Sequence, residues 1–146
     1  MKTAGYSGTP LVQKLGIKSG FRVAFLNEPS SFRRTLGLLP ENLTIFSKPR
    51  KALDLVVLFV RSQKELTGTF SRCARCLAPT GMLWVAWPKK SSGVPSDLDE
   101  NVVRRIGLDA GLVDVKVCAI DETWSGLKFV IRLKDRVSTA RITSAK

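Results

Sequence analysis

The stretch Gly81-Met-Leu-Trp-Val-Ala-Trp-Pro-Lys-Lys90 decides the expected fold, because it holds an unbroken apolar run, 82–87. A short apolar run without alternation is typical of a strand buried on both faces, as in the centre of a parallel sheet. Pro88 has no N–H to donate to a neighbouring strand, so we expect the strand to end there. Ligands of open parallel sheets bind beyond the carboxyl ends of the strands, and here Lys89 and Lys90 occupy that position.

Composition predicts one folded domain that carries a large positive charge. The chain has 146 residues, of which 44% are hydrophobic, so an intrinsically disordered protein is excluded. It has 24 Lys and Arg against 12 Asp and Glu, which gives a net charge of +12. Such a surplus attracts polyanions, namely nucleic acid, an anionic membrane surface or phosphorylated ligands. The alternative is a basic surface without a specific partner.

Missing residue types narrow the chemistry. The sequence contains no histidine, which removes Ser/His and Cys/His nucleophile pairs and His-ligated zinc. The three cysteines follow no secretory signal, so we expect a reduced, cytoplasmic setting. No run of about 18 apolar residues is present, so we expect no membrane span. The catalytic residues, if there are any, stay unknown from the sequence.

The pair Cys73 and Cys76 forms a Cys-x-x-Cys spacing within a predicted helix. A redox pair would be expected at a helix N-terminus, where the thiolate is stabilised, whereas these cysteines lie near the C-terminal end. Zinc would need more ligands than the chain offers, so we expect no metal site. We therefore predict that Cys73 packs in the core and that Cys76 lies at the surface.

The order of predicted elements alternates strands with helices and ends in a hairpin. Apolar runs predict strands at 21–26, 43–46, 53–60, 82–87, 113–120 and 127–133. Alternation of this kind implies right-handed crossovers and a mainly parallel sheet. The predicted fold is therefore a single three-layer Rossmann-like α/β domain over 1–134, mostly parallel and closed by an antiparallel hairpin. Residues 135–146 are predicted to be a flexible basic tail.

Capping residues predict where the helices begin. Ser62 and Glu65 fit a capping box, and either Ser96 or Asp97 is expected to cap the next long helix. Near the N-terminus, Thr9 is expected to cap a short helix with a proline at its first position. The preceding Gly5 and Gly8 form a turn or, as the alternative, an anion-cradling loop.

Strand ends predict a candidate ligand site at one edge of the sheet. Segments far apart in sequence should bring together Asn27, Arg61, Ser62, Lys89, Lys90, Asp121, Glu122 and Trp124. Converging polar groups beside an aromatic side chain are typical of a binding site, although every parallel sheet has polar loops at this edge. Trp124, predicted in a loop, either covers the sheet or walls a pocket. Asp121 or Glu122 could instead form ion pairs with the dilysine.

The plan of the chain resembles the methyltransferase-like variant of the Rossmann fold, and the likeness is best from Asp54 to Leu133. In particular, the passage 77–85 is similar to the family's helix-to-strand connection before its fifth strand. The resemblance implies S-adenosylmethionine as the candidate cofactor. Methyltransferases carry a glycine-rich turn after the first strand and an acidic residue closing the second. Here Asn27-Glu-Pro29 and Phe46-Ser47 stand in those places, which disfavours this cofactor.

Three stretches together resemble a small bacterial family of uncharacterised domains: Ala4–Leu11, Trp87–Lys90 and Ala119–Gly126. That family implies no activity. The sequence therefore predicts non-catalytic binding of a small anionic or nucleotide-like ligand at the carboxyl edge. The alternative is a nucleic-acid-binding or accessory protein that uses its basic surface. An active enzyme is a third hypothesis, weakened by the missing parts of a catalytic site.

Overall fold

The computed structural model describes residues 9–136, in which helices alternate with the strands of one sheet. The strands are β1 (Arg22–Leu26), β2 (Thr44–Phe46), β3 (Leu53–Phe59), β4 (Leu77–Pro88), β5 (Leu112–Ala119) and β6 (Trp124–Ile131). The helices are α1 (Leu11–Leu15), α2 (Phe32–Leu36), α3 (Gln63–Arg75) and α4 (Glu100–Asp109), with a 3-10 turn at Lys90–Ser92. Both the Gly5/Gly8 loop and positions 137–146 of the predicted tail lie outside the described residues.

The sheet has the strand order β2-β1-β3-β4-β6-β5. Strands β1 to β4 are parallel, and β6 is inserted antiparallel between β4 and β5. This confirms the predicted single α/β domain with a mostly parallel sheet and a terminal antiparallel hairpin. No helix within residues 9–136 combines the length and the apolar character needed to cross a bilayer.

Strand β4 lies in the middle of the sheet and is buried on both faces, as its apolar run predicts. Leu83 and Val85 face one core, while Trp84 and Ala86 face the other. The strand begins at Leu77, five residues before the apolar run, and ends at Pro88 as expected. Its pairing with β3 and β6 therefore sets where Lys89 and Lys90 lie at the carboxyl edge of the sheet.

Helices cover both faces of the sheet. On one face α3 and α4 enclose a core in which Phe70 packs edge-to-face on Phe129, with ring centroids 5.2 Å apart. On the other face α1 and α2 cover Trp84 and Phe59. The Trp84 indole Nε1–H donates to the Leu15 carbonyl at 2.9 Å, which satisfies its buried donor and ties α1 to the sheet.

Helix α3 begins at the predicted capping box. The Ser62 hydroxyl accepts from the Glu65 N–H at 3.1 Å, so one free amide of the first turn is satisfied. In the usual capping box the glutamate carboxylate accepts from the N–H of the cap residue itself. Here the Glu65 carboxylate accepts from the N–H of the preceding residue, Arg61, at 2.9 Å.

Helix α4 begins later than predicted. Asp99 is its cap and accepts from the Val102 N–H at 2.9 Å, so the prediction of Ser96 or Asp97 is wrong. Asp97 accepts instead from the Gln63 N–H of α3 at 2.8 Å. Tertiary contact between the two helix starts thus decides which acidic side chain serves which helix.

The residues at the cap positions of the two short helices, Pro10 and Ser31, make no side-chain capping bond. The cap position of α1 is Pro10, so the prediction that Thr9 caps the helix is wrong by one residue. Ser31 stands at the cap position of α2, but its side chain makes no capping bond. Packing against the core stabilises these five-residue helices, since isolated helices of this length are unstable in water.

The turn of the hairpin is tighter than predicted. The Asp121 carboxylate accepts from the N–H groups of both Thr123 and Trp124, each at 2.8 Å. An Asp that bonds to backbone amides two and three residues onward builds a compact turn. Trp124 is consequently the first residue of β6, and its prediction as a loop residue is wrong.

Candidate functional site: the carboxyl edge of the sheet

The dilysine and the bend of the hairpin lie at the same edge of the sheet. Pro88 of β4 stands opposite Trp124 of β6, and the Lys89 N–H donates to the Thr123 carbonyl at 2.7 Å. Asn27 and Arg61 follow β1 and β3 at this edge, because these strands are parallel to β4. The structure therefore brings the predicted residues to one edge, as the topology required.

Trp124 belongs to the core at this edge. Its side chain is 6% exposed, and its ring meets Phe59 edge-to-face with centroids 5.1 Å apart. Of the two predicted roles, covering the sheet accounts for nearly all of the indole surface. Little of that surface is accessible to a ligand.

Several polar groups of the edge have structural partners. The Asp121 carboxylate is held by the hairpin turn, and the Ser62 hydroxyl caps α3. Asn27 has a left-handed backbone, with φ of 59°, and its amide Nδ2–H donates to the Phe59 carbonyl at 3.4 Å. These side chains shape the edge and have less capacity left for a ligand.

The cations of the edge are the groups that it offers to a ligand. The ion pairs within the described residues join Arg33 to Glu28 and Arg104 to Glu100 and Asp114. None of the edge cations Arg61, Lys89 and Lys90 takes part. The alternative that Asp121 or Glu122 neutralises the dilysine is thus not found among residues 9–136.

A cavity of about 160 Å³ opens at the β1 end of this edge, between the sheet and α3. Its lining comprises Leu26, Asn27, Ser47, Pro49, Leu58, Thr69, Arg72 and Cys73. Asn27 is the one predicted site residue in this lining. The dilysine and the hairpin bend lie on the other side of β3, so the predicted site divides into a cavity at β1 and β2 and a cationic rim at β4 and β6.

The electrostatics of the cavity come from Arg72, an exposed cation and the charged member of the lining. Cys73 at its base is 2% exposed, and burial, with a smaller contribution from Cys76, raises the pKa of its thiol to about 11. The thiol therefore stays protonated at neutral pH and is a poor nucleophile. The predicted core position of Cys73 is confirmed, whereas Cys76 is half-buried against the same core.

Sequence reasoning missed Ser47 and Arg72. Ser47 follows β2 directly, so the rule that selected Asn27 after β1 would have found it. Arg72 lies within α3, and no local pattern distinguishes it from the other exposed cations of that helix. Among the described residues no group of His, Cys, Asp or Glu side chains is arranged to hold a metal ion.

Comparison with known proteins identifies the fold. No family model matches the chain, and no curated protein matches it. Among solved structures it is similar to a SAM-dependent methyltransferase from Aquifex aeolicus, with a TM-score of 0.54, 15% identity and coverage of 84% of this chain and 88% of that one. It is also similar to magnesium protoporphyrin IX methyltransferase from Synechocystis PCC 6803, with a TM-score of 0.55 and 11% identity over 84% of this chain and 74% of that one. The DhpI–SAH complex matches with a TM-score of 0.59 and 10% identity over 85% of this chain and 83% of that one. The chain therefore has a methyltransferase-like fold.

The residues at the carboxyl edge do not fit S-adenosylmethionine well. In the turn after β1, Pro29 has no N–H, and the Phe32 N–H is already bonded to the Pro29 carbonyl at 3.0 Å. Position 47, after β2, holds a serine and no carboxylate. The charged group lining the cavity is a guanidinium, which repels a sulfonium cation and attracts an anion. No reaction step through this cofactor follows from these residues.

Proposed function

We propose that the chain is a methyltransferase-like domain that lacks the cofactor turn and binds a small anionic or nucleotide-like ligand at the carboxyl edge of its sheet. The observation that carries the proposal is the cavity beside Asn27, whose charged lining residue is Arg72. The unpaired rim cations, Lys89 and Lys90, extend the positive charge along the same edge. Binding without turnover is the expected role, because the sequence supplies no histidine and Asp121 is held in a turn.

The size of the cavity limits what part of a ligand it holds. A cavity of about 150 Å³ accommodates a benzene-sized group, whereas sites for drug-sized ligands measure ~300–1,000 Å³. At about 160 Å³ the cavity accepts one ring, and an acidic group attached to that ring would meet the exposed Arg72. Leu26, Leu58 and Pro49 offer apolar contact, and Arg72 offers charge. A flat apolar group bearing a carboxylate or phosphate matches this lining.

A thermal-unfolding screen tests the proposal. Nucleotides, small organic acids, S-adenosylmethionine and S-adenosylhomocysteine are each added to the full chain. A binding compound at ten times its Kd should raise the Tm by about 4 °C. The shift should be larger for anionic compounds than for the sulfonium and should be lost in Arg72→Met.

The matched control is Arg75→Met, which removes the same charge from the same helix outside the cavity. It should respond to the ligand as the wild type does. The absence of any shift across the screen contradicts the proposal, as does an equal loss of response in the two variants.

A second candidate function, nucleic-acid binding, is favoured by an arrangement at the β2 edge of the sheet. The guanidinium groups of Arg22 and Arg50 both stack on Phe46, 5.0 Å and 5.2 Å from the ring centroid. Cations interleaved with an aromatic ring are suited to a single-stranded backbone and its bases. Arg22 also donates to two backbone carbonyls, so Arg50 is the more available of the two cations.

The salt dependence of oligonucleotide affinity tests this candidate. Fluorescence anisotropy with a labelled single-stranded RNA should give a linear decrease of log K with log salt. Replacement Arg50→Gln should reduce the slope by about 0.7, the value for one lost phosphate contact on a single strand. Affinity that does not depend on salt, or no binding at low ionic strength, would remove the candidate.

Two finer predictions stay proposals. Kinship with a small bacterial family of uncharacterised domains is supported by the three stretches named above, of which 87–90 and 119–126 flank the carboxyl edge. A cytoplasmic location is supported by the cysteines, which form no disulfide in the described part of the chain. Neither adds a reaction to the proposed function.

A further inference from the structure

Two lysines stand directly opposite each other in the terminal hairpin. Lys116 of β5 is the cross-strand partner of Lys128 of β6, and on its other side Lys128 is opposite Trp84 of β4. Because directly paired residues share a face of the sheet, both lysines lie on the side covered by α1. Such pairs have Cβ atoms about 5 Å apart, and like charges at that spacing destabilise a sheet.

Two further lysines lie on the α1 side of the hairpin, one in α1 and one in the segment after it. The Lys14 ammonium donates to the Ala119 carbonyl at 3.2 Å, at the end of β5. Burial lowers the pKa of Lys128, and the positive charges of Lys116 and Lys18 lower it further. We call Lys14, Lys18, Lys116 and Lys128 the tetralysine cluster.

No carboxylate neutralises this cluster among residues 9–136. Asp114, two residues before Lys116, bonds to Arg104 at 2.9 Å and so belongs to the α4 face of the sheet. The other ion-paired carboxylates, Glu28 and Glu100, are bound to arginines of α2 and α4. Among the described residues, Lys128 thus faces the positive charges of Lys116 and Lys18 with no carboxylate paired to it.

The hydrocarbon stem of Lys128 gives a partial structural account of the cluster. A lysine stem can cover an apolar neighbour such as Trp84 while its ammonium reaches water. That reason applies to one lysine and does not require Lys116 opposite it, nor Lys18 from another segment. A bound anion would offset the repulsion that Lys128 experiences from Lys116 and Lys18.

We propose that the tetralysine cluster is a binding site for an oxyanion of the phosphate class. Lysine ammonium groups are compact charges with rotatable donors, which suits the tetrahedral oxygens of a phosphate. The site lies on the α1 face of the hairpin, opposite to the α3 face that holds the cavity. It is therefore independent of the proposed function at the carboxyl edge.

Thermal unfolding of the full chain in sodium pyrophosphate tests the site, with sodium chloride at equal ionic strength as the reference. Pyrophosphate at ten times its Kd should raise the wild-type Tm by about 4 °C above the chloride reference. Lys128→Met keeps the apolar stem and should lose most of this shift, as should Lys116→Met. The control Lys64→Met removes an exposed charge from α3 and should keep the shift.

Short DNA without terminal phosphate distinguishes two sources of the anion. If the DNA competes with pyrophosphate for the wild type but not for Lys128→Met, a phosphodiester backbone is a ligand of the site. If pyrophosphate raises the Tm and the DNA does not compete with it, the ligand is a free phosphate. The proposal is overturned if pyrophosphate gives no shift beyond chloride, or if Lys128→Met and Lys64→Met respond alike. Arg72→Met should keep the response, so a failure at the carboxyl edge and a failure here are separable.

Discussion

At Gly107, helix α4 packs directly against the sheet. A Cβ built at this position would overlap the ring of Phe129, which itself packs on Phe70 in the α3/α4 core. Gly68 is also within a helix, but a Cβ there meets no atom within 4 Å. Gly107 is therefore required by the packing of α4 on the sheet, whereas Gly68 affects only the flexibility of the α3 backbone.

Replacing each glycine by alanine should change stability in opposite directions. Gly107→Ala should destabilise the fold by about 1–3 kcal/mol, because the added methyl overpacks a filled core. Gly68→Ala should stabilise it by about 0.5–1 kcal/mol, since alanine is the better helix former. Urea unfolding measures both. An unchanged midpoint for Gly107→Ala would mean that α4 can move away from Phe129 without cost.

At the scale of elements, the strands could be predicted well because their burial is written in continuous apolar runs. Strand β3 was expected at 53–60 and spans Leu53–Phe59, and the end of β4 at Pro88 was expected from its missing donor. The start of β4 at Leu77 was not, since only packing against β3 extends the strand over Pro79 and Gly81. Local patterns thus locate a strand's centre and an end marked by proline, whereas pairing with a neighbouring strand sets the start of β4.

The start of a helix could be predicted only where a single candidate capping residue precedes it. Ser62 and Glu65 are separated by the spacing of a capping box and act as expected on α3. Before α4 several acceptors stand close together, and the contact of Asp97 with Gln63 leaves Asp99 as the cap. That contact joins positions 34 residues apart, so no window of sequence around α4 contains it.

The candidate site likewise has one part that the sequence predicts and another that depends on tertiary packing. Topology alone placed Lys89 and the hairpin bend at one edge, because the carboxyl ends of parallel strands coincide. The cavity could not be foreseen, since it depends on how the side chains of α3, among them Arg72, pack beside Ser47. The buried position of Trp124 depends likewise on the turn that Asp121 builds.

The whole molecule carries +12 charges, and its ion pairs within residues 9–136 engage two cations, Arg33 and Arg104. Self-repulsion of a surplus charge destabilises a compact state, and the tetralysine cluster concentrates part of it on one face. Salt shortens the range of this repulsion, from about 30 Å at 0.01 M to about 10 Å at 0.1 M. Stability should therefore depend on ionic strength even without a specific ligand.

We expect the Tm to rise by about 3 °C between 0.01 M and 0.2 M sodium chloride, which corresponds to ~1 kcal/mol for a chain of this size. Chloride is required because phosphate would bind the tetralysine cluster and confound screening with binding. Lys116→Met should have a higher Tm at low salt and a smaller gain than the control Lys64→Met, since it removes a charge that faces Lys128. Differential scanning calorimetry measures all three proteins. A Tm that falls with chloride, or equal gains in both variants, would show that the charges of the cluster are too well solvated to repel one another.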